Sequence, residues 1–432
     1  MTVAPSVPDT RHRLLTHWVR TGHPDDLAEH ARRYRRMPAD SAAQIIDAVT
    51  AAGLRGRGGA WFPTGRKLAT VAAHAAAAGA GYVIVNASES EPASAKDRLL
   101  LEAVPHLVLD GAELAAVAVG ARQVTVCVHR DKHGLTEARA AVAERRAAGW
   151  GRPGIKINVV SSPRWYVAAE ATALARFVGG GPAKPRTESA YRSGVRGQPT
   201  LVSNAETFAH LALIVRYGAS WFRQVGTPDT PGTWLATLSG AVVRPGVYEQ
   251  PLGTSVADLV ARAGGTTEPW QAVLLGGYCG SWLPADQMPD LPLAPESLRA
   301  ANIPPGSGVI VGLPANACGL AETARVAAWM ASQNARQCGP CFRGTPRIAE
   351  ELAALTWRQD RQALRRLRYV MAMVYRRGAC SYPEGIVTFA ESALRVFADD
   401  VRAHLVDGGC RWLSRTPTLP VPPPLPRGEP WR

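Results

Sequence analysis

Three apolar runs, "YVIVN" (82–86), "VTVCVH" (124–129) and "IKINVV" (155–160), are each followed by a stretch with helical periodicity. The followers are "PHLVLDGAELAAVAVGA", "GLTEARAAVAERRAAG" and "YVAAEATALARFV". This alternation constrains the fold more than any other feature of the chain. A strand that is apolar on both faces must be covered on both faces, so the expected structure is a mostly parallel, Rossmann-like sheet flanked by helices. In such sheets ligands gather beyond the carboxyl ends of the strands. The α/β region is expected over residues 53–231, after an N-terminal helical arm at 1–52.

Texture changes further along the chain. "TWLATLSGAVVRPGVYEQPLG" reads as short β segments with Gly and Pro turns, and "TSVADLVARAGG" as one helix with a Ser start and a Gly-Gly stop. Residues 232–318 are therefore expected to form a small α+β module of the ubiquitin-like (SLBB-type, β-grasp) kind. Four helical segments over 319–405 suggest a bundle. The end, 406–432, with "SRTPTLPVPPPLPRGEPWR", is expected to be a disordered tail leaning to polyproline II.

With 46% hydrophobic and 19% charged residues, the chain has the composition of a folded protein. Its longest apolar stretches are interrupted by charge, and the N-terminus lacks a signal-like core. A cytoplasmic placement, peripheral to a membrane complex, is expected, with the seven cysteines as reduced thiols or metal ligands. The net charge of +14 comes mostly from scattered arginines without a nucleic-acid motif, so solvated helix faces or an acidic protein partner account for it better.

Three stretches carry chemistry. "GLRGRGGAWFPTGRKL" places four glycines in seven residues ahead of Arg66 and Lys67. It is neither a P-loop nor a dinucleotide fingerprint, because its spacing is one residue too long, no Ser or Thr follows Lys67, and no strand precedes it. Its amides can still form an anion nest. "VNASESEP" sets Asn86, Glu89 and Glu91 at a strand end, suited to a metal, ribose hydroxyls or acid–base work, or simply to a solvated turn. "ARQCGPCFRG" carries Cys338 and Cys341 at a spacing shared by dithiol exchange and iron–sulfur ligation. A helix-period segment precedes it where a redox dithiol needs a strand, which favours the cluster.

"GLRGRGGAWFPTGRK", "NASESEPASAKDR", "YVAAEATAL", "GQPTLVSNAETF" and "CGPCFRG" occur in this order. Together they resemble the family of flavin-bearing, NADH-oxidising (51-kDa-type) subunits of respiratory complex I, with its soluble-hydrogenase diaphorase and NAD-linked formate dehydrogenase relatives. The resemblance spans roughly residues 35–400 and implies FMN, a [4Fe–4S] cluster and NADH as donor. It implies FMN contacts at Gly56, Arg57, Gly58, Gly59, Lys67, Asn86, Tyr166, Glu170 and Asn204, and chemistry beside the flavin at Glu89 and Glu91. Tyr166 and Glu170, four apart on one expected helix, would face one ligand. Asn204 doubles as part of a Ser203–Glu206 capping box. Cluster ligation is implied for Cys338, Cys341 and Cys380. The family's first cluster cysteine is here Ala335, and Cys318, one helix upstream, is the expected replacement, set against a plain core role. Three further departures are Trp61 for Gly, Ser88 for Asp and Ala171 for Glu; the indole is expected either to fill the nicotinamide pocket or to stack on the flavin.

The expected activity is an NADH dehydrogenase-like oxidoreductase passing electrons from NAD(P)H via FMN and the cluster to a redox protein such as a ferredoxin or a thioredoxin-like iron–sulfur subunit. The alternatives are an electron-transfer subunit that takes its electrons from a donor other than NADH, and a scaffold without redox activity.

Overall fold

The structure, a computed structural model, describes residues 12–130, 134–426 and 428–432; the first residues of the expected N-terminal arm, 1–11, lie outside them. Four strands, β1 (Gly81–Ala87), β2 (Ala121–His129), β3 (Lys156–Ser162) and β4 (Thr200–Asn204), form an all-parallel sheet in the order β3-β2-β1-β4. The chain steps outward from β1 to β3, then returns to the other side of β1. The carboxyl ends of β1 and β4 therefore flank a topological switch point, with Asn86 in register with Asn204. The Thr64–Ala78, Pro105–Ala118 and Ala205–Tyr217 helices cover the sheet. The core they form includes Val83, Val85, Leu107, Val124, Leu201 and Phe208.

The second module is a five-stranded mixed sheet of β5 (Thr233–Gly240), β6 (Gly246–Pro251), β7 (Trp270–Leu275), β8 (Ser281–Pro284) and β9 (Val309–Pro314), in the order β6-β5-β9-β7-β8. One helix, Val256–Arg262, starts on a Ser255 side-chain cap as expected. β5 and β9 run parallel, while the other neighbours are antiparallel.

The bundle holds five helices rather than four: Gly319–Ser332, Thr345–Trp357, Ala363–Val374, Tyr382–Val396 and Ala398–Val406. The apolar period runs on through Phe397, whose backbone (φ −104°, ψ 39°) ends one helix and starts another. Two further expectations change. "YVAAEATAL" is not one helix: a 3-10 turn, Tyr166–Ala169, is cut at Glu170, which is extended and caps the Ala171–Val178 helix by accepting from the Thr172 and Ala173 amides. Nor is the Pro-rich end disordered. The Thr418 and Leu419 amides donate to Glu322 (2.7 and 3.2 Å), Glu429 pairs with Arg164, and Trp431 stacks on Trp165 at 4.5 Å and 4°. Proline content reported the loss of helix but said nothing of the aromatic anchor at the tip. The opposite end is anchored likewise: the amides of Arg13, Leu14 and Leu15 all donate to the Glu249 carboxylate of β6.

Candidate functional site

The three modules meet over the switch point and enclose two adjoining hollows of about 530 and 470 Å³. They share Gly58, Asn86, Tyr166, Glu170, Asn204 and Cys279 as wall, so they form one cleft. Gly56, Gly59 and Lys67 line the first hollow, and Glu89, Glu91 and Cys380 the second. Most of the sequence-expected flavin residues are therefore brought together by the fold.

On the glycine-rich side, the Thr64–Ala78 helix opens without a side-chain cap, with Pro63 ahead of it, and Thr64 and Lys67 of its first turn line the cleft. Lys67 is half-buried there and its Nζ donates to the Val202 carbonyl at 2.5 Å. Burial of its ammonium pulls its pKa down to about 8, and among the described residues no carboxylate balances it. A desolvated ammonium with no acid beside it among the described residues, next to an uncapped helix start, suits a phosphate. Gly59 (φ +99°) bridges backbone to backbone with Gly306 of the second module, in a conformation that favours glycine.

Arg57 does not join this group. Its guanidinium is buried and turned away, donating to the Arg55 and Thr233 carbonyls with Nε 3.8 Å from Glu206. It ties the loop to β5. Trp61 neither fills the pocket nor lies flat across it. The residue adopts φ +54°, and the indole is buried against Trp234 (5.9 Å, edge-on), with Nε1 donating to the Gly306 carbonyl at 2.8 Å. The apolar seam of the second module captures the ring, leaving its edge in the cleft wall.

At the strand ends, Asn204 rather than Ser203 caps the Ala205–Tyr217 helix, so the expected Ser203–Glu206 box does not form. Asn204 Oδ1 accepts from the Glu206 amide (3.1 Å) and from Lys96 Nζ (2.7 Å), while Nδ2 donates to Asp97 Oδ2 (2.7 Å). Lys96 also pairs with Asp97 (3.0 Å) and Glu206 (3.1 Å). Burial opposes its charge, but Asp97, Glu206 and Glu89 outweigh that and hold its pKa above the usual lysine value. Lys96 and Asp97, missed as site residues, sit inside the quoted motif "NASESEPASAKDR"; a buried Lys-Asp pair at a helix start was the available signal.

The two glutamates differ. Glu89 serves the Lys96–Ala103 helix, accepting from Ser94 Oγ (2.5 Å) and the Asp97 and Arg98 amides (3.1 and 3.3 Å). Glu91 Oε2 accepts from the Tyr278 amide (2.9 Å) and the Tyr166 hydroxyl (3.2 Å). Burial lifts its pKa to about 7 against those hydrogen bonds. Ser88, where the family has Asp, is buried and hydrogen-bonded to Ser162 Oγ at 2.7 Å.

The cluster thiols adjoin the cleft. Cys338 and Cys341 bracket the start of a tight turn, Pro340–Gly344, that feeds the Thr345–Trp357 helix, and Cys380 precedes the Tyr382–Val396 helix. Burial, then Cys338 and Cys380, push the Cys341 thiol up to about 12, as expected of three close thiols. Cys341 also faces the backbone of Ala335, which is buried, so a methyl stands where the family's first cysteine would project. The donor set thus fits a cluster held at three corners, with the fourth left to an outside ligand. Cys318 cannot supply it. It caps the start of the Gly319–Ser332 helix, while Cys338 lies beyond that helix's end, and 14 residues of helix separate the two by about 20 Å. Asn334 is also spent, on Ala331, Thr345 and Arg336. Cys279 lies beside Cys380 and accepts from the Tyr166 hydroxyl at 3.6 Å. Cys127 is a buried residue of β2.

Three family models match the chain: the Nuo51 FMN-binding domain over residues 49–213, the SLBB domain over 235–276, and the NADH-ubiquinone oxidoreductase-F iron-sulfur binding region over 321–404. The F subunit of NADH-quinone oxidoreductase from Mycobacterium tuberculosis is 32% identical over 406 residues, covering 89% of this chain and 88% of its own. The HndC subunit of the NADP-reducing hydrogenase from Solidesulfovibrio fructosivorans is 30% identical over 383 residues, covering 85% and 77%. Among solved structures, a chain of NAD+-reducing [NiFe]-hydrogenase in the H2-reduced state superposes with a TM-score of 0.79 at 29% identity, covering 91% of this chain and 67% of that one.

Proposed function

This chain belongs to the family of NADH-quinone oxidoreductase F subunits, the flavin- and iron–sulfur-bearing oxidoreductases of complex I and its hydrogenase relatives, and on that premise we propose that its cleft takes electrons from a nicotinamide nucleotide and delivers them, at Cys380, to a cluster and thence to a protein partner. One observation carries the reading: Cys380 is at once a wall of the cleft and one of the three converging thiols.

The residues present fit the two groups. Lys67 and the first turn of the Thr64–Ala78 helix would hold the flavin phosphate, and Gly58, Asn86, Glu170 and Asn204 would flank its ring. Bound flavin supplies two-electron acceptance with one-electron release. The chain's own residues prepare the site. Glu91 holds or releases a proton near neutrality at Oε2, where the Tyr166 hydroxyl reads its state. Lys96 and Asp97 fix Asn204. Gly59 and Gly306 close the backbone wall.

The partner is proposed to dock at the cluster end. Phe342, Tyr369 and Met373 are exposed there beside a groove of about 390 Å³ that Arg343, Arg347 and Arg377 border. Apolar side chains among arginines suit an acidic iron–sulfur protein such as a ferredoxin or a thioredoxin-like subunit. Among the described residues no helix is long and apolar enough to cross a membrane, which accords with a peripheral position in a larger assembly. A donor other than NADH is the second reading, favoured by Ser88, whose hydroxyl is turned into the Ser162 contact where the family has a carboxylate.

The test is anaerobic. Purified protein should carry flavin and iron, and NADH should bleach the flavin band. Flavin that bleaches with reduced ferredoxin and not with NADH moves the assignment to the second reading, and protein without flavin or iron refutes both.

A further inference from the structure

Cys318, displaced from the cluster, is not idle. Its Sγ lies 3.3 Å from His404 Nε2, and with Cys410 Sγ the three donor atoms lie within 4.8 Å of one another. Cys318 and His404 are buried and Cys410 half-buried. They come from three places: the start of the Gly319–Ser332 helix, the last turn of the Ala398–Val406 helix, and the segment that leaves it. We propose that Cys318, His404 and Cys410 bind a single zinc ion, with the Asp400 carboxylate or a water as the fourth ligand.

The geometry is close to what zinc needs. With bonds of about 2.3 Å to sulfur and 2.1 Å to nitrogen, tetrahedral donors sit about 3.6 Å apart. The observed cluster requires a small adjustment of side chains rather than of backbone. Two thiolates and one imidazole match a mononuclear zinc site and cannot serve a four-iron cluster. Asp400 lies beside both thiols, and its Oδ2 already accepts the Gly319 amide at 2.9 Å, which orients the carboxylate and leaves Oδ1 for the metal. The surrounding hydrogen bonds are those that support metal-bound thiolates: the Ala321 amide donates to Cys318 Sγ (3.3 Å) and the Trp412 amide to Cys410 Sγ (3.4 Å). His404 Nδ1 is buried and faces the Thr356 carbonyl without completing a regular hydrogen bond, so it is the nitrogen to carry the proton while Nε2 ligates.

Such an ion would have a structural task. It would pin the point where the C-terminal segment leaves the bundle, just before that segment runs along Glu322 towards Trp165. The ligands come from helix, helix and tail, so the metal would close a loop of the chain that the Thr418, Leu419 and Arg415–Glu268 contacts also hold.

The experiment measures metal in the full chain, purified anaerobically without chelators from zinc-supplied cells. The expected result is about one zinc per chain. It should persist in a Cys338→Ser, Cys341→Ser double variant, where two of the three cluster thiols are gone. It should fall about tenfold or more in Cys318→Ser, Cys410→Ser. Should that variant fail to fold, His404→Gln is the substitute, with zinc affinity read by competition against a colorimetric chelator and expected to drop at least about tenfold. Cobalt loading should give thiolate-to-cobalt absorption that His404→Gln weakens. Zinc that follows Cys338 and Cys341, zinc that is absent at micromolar free metal, or a Cys318–Cys410 disulfide in the anaerobic protein would overturn the assignment.

Discussion

Replacing Glu91 with glutamine tests the electrostatics of the cleft without removing its shape. The wild-type carboxyl is shifted by burial from 4.5 to about 7, so the folded state holds its proton more tightly than the unfolded chain does. The sign follows directly. Below about pH 4.5 both states are protonated and the residue carries no penalty; as pH rises to about 7 the unfolded chain ionises first and stability is lost; above 7 the loss is complete. A shift of that size corresponds to about 3 kcal/mol. The glutamine side chain would keep an oxygen for the Tyr278 amide and would have no titration. The difference in thermal midpoint between E91Q and wild type, measured on the holoprotein from pH 5 to 8, should therefore grow in favour of the variant by several degrees across this window. For a chain of this length a degree or two per kcal/mol is the scale to expect, about 3–6 °C in all. The pH dependence carries the test, because a merely structural contact would offset the two curves by a constant. Parallel curves would sink the claim that Glu91 titrates near neutrality, and with it the proton-holding role of its Oε2.

Other substitutions test the remaining parts. Lys67→Met should weaken FMN binding about tenfold to a hundredfold, read by recovery of free-flavin fluorescence, because a half-buried charged donor to phosphate is lost. Cys380→Ser should lower iron content while flavin content stays, measured by iron and flavin assay on one sample; Ala335→Cys should raise iron retention in air, since it returns a fourth thiolate to the place its methyl now occupies. Arg343→Glu with Arg377→Glu should slow reduction of an acidic ferredoxin and flatten its salt dependence while leaving flavin absorbance alone, which stopped-flow rates at two ionic strengths will show. Trp431→Ala removes the stack on Trp165 and should destabilise by about 1–3 kcal/mol, visible in thermal denaturation.

The sheet was legible because double-sided burial writes itself as uninterrupted apolar strands, and the switch point followed from strand order once β4 was placed beside β1. Much of the cleft was legible through ordered motifs: of the residues assigned to the flavin, all but Arg57 line it. The misses share a cause. The Arg57 contact came from the resemblance, the unbroken helix through Glu170 and the Ser203 cap from local pattern, and in each case a competing partner decided: Thr233 and Glu206 took the guanidinium, the Thr172 and Ala173 amides took the Glu170 carboxylate, and Asn204 took the cap. Only the partners of Arg57, Thr233 and Glu206, lie far along the chain, where no local pattern announces them. Cys318 failed differently, since closeness in sequence was read across a helix that acts as a rigid spacer.

Trp61 and Ala335 together show how the site departs from its family without losing its frame. Gly-to-Trp at a left-handed position should cost on the order of 1–2 kcal/mol of backbone strain. The chain retains it because the indole finds an apolar seam and the Gly306 carbonyl in the second module. That capture ties the glycine-rich loop to the second module, and the same module supplies Tyr278 to Glu91 and Cys279 to the neighbourhood of Cys380. One docking surface thus sets the flavin loop, the titrating carboxyl and the thiol face of the cleft at once. Undocking it should disturb all three together, so a Trp61→Gly variant that loses flavin should also lower the Glu91 pKa towards that of an exposed carboxyl. If flavin is lost while the E91Q stability difference keeps its full pH dependence, the loop and the carboxyl are set independently, and the coupling argued here is wrong.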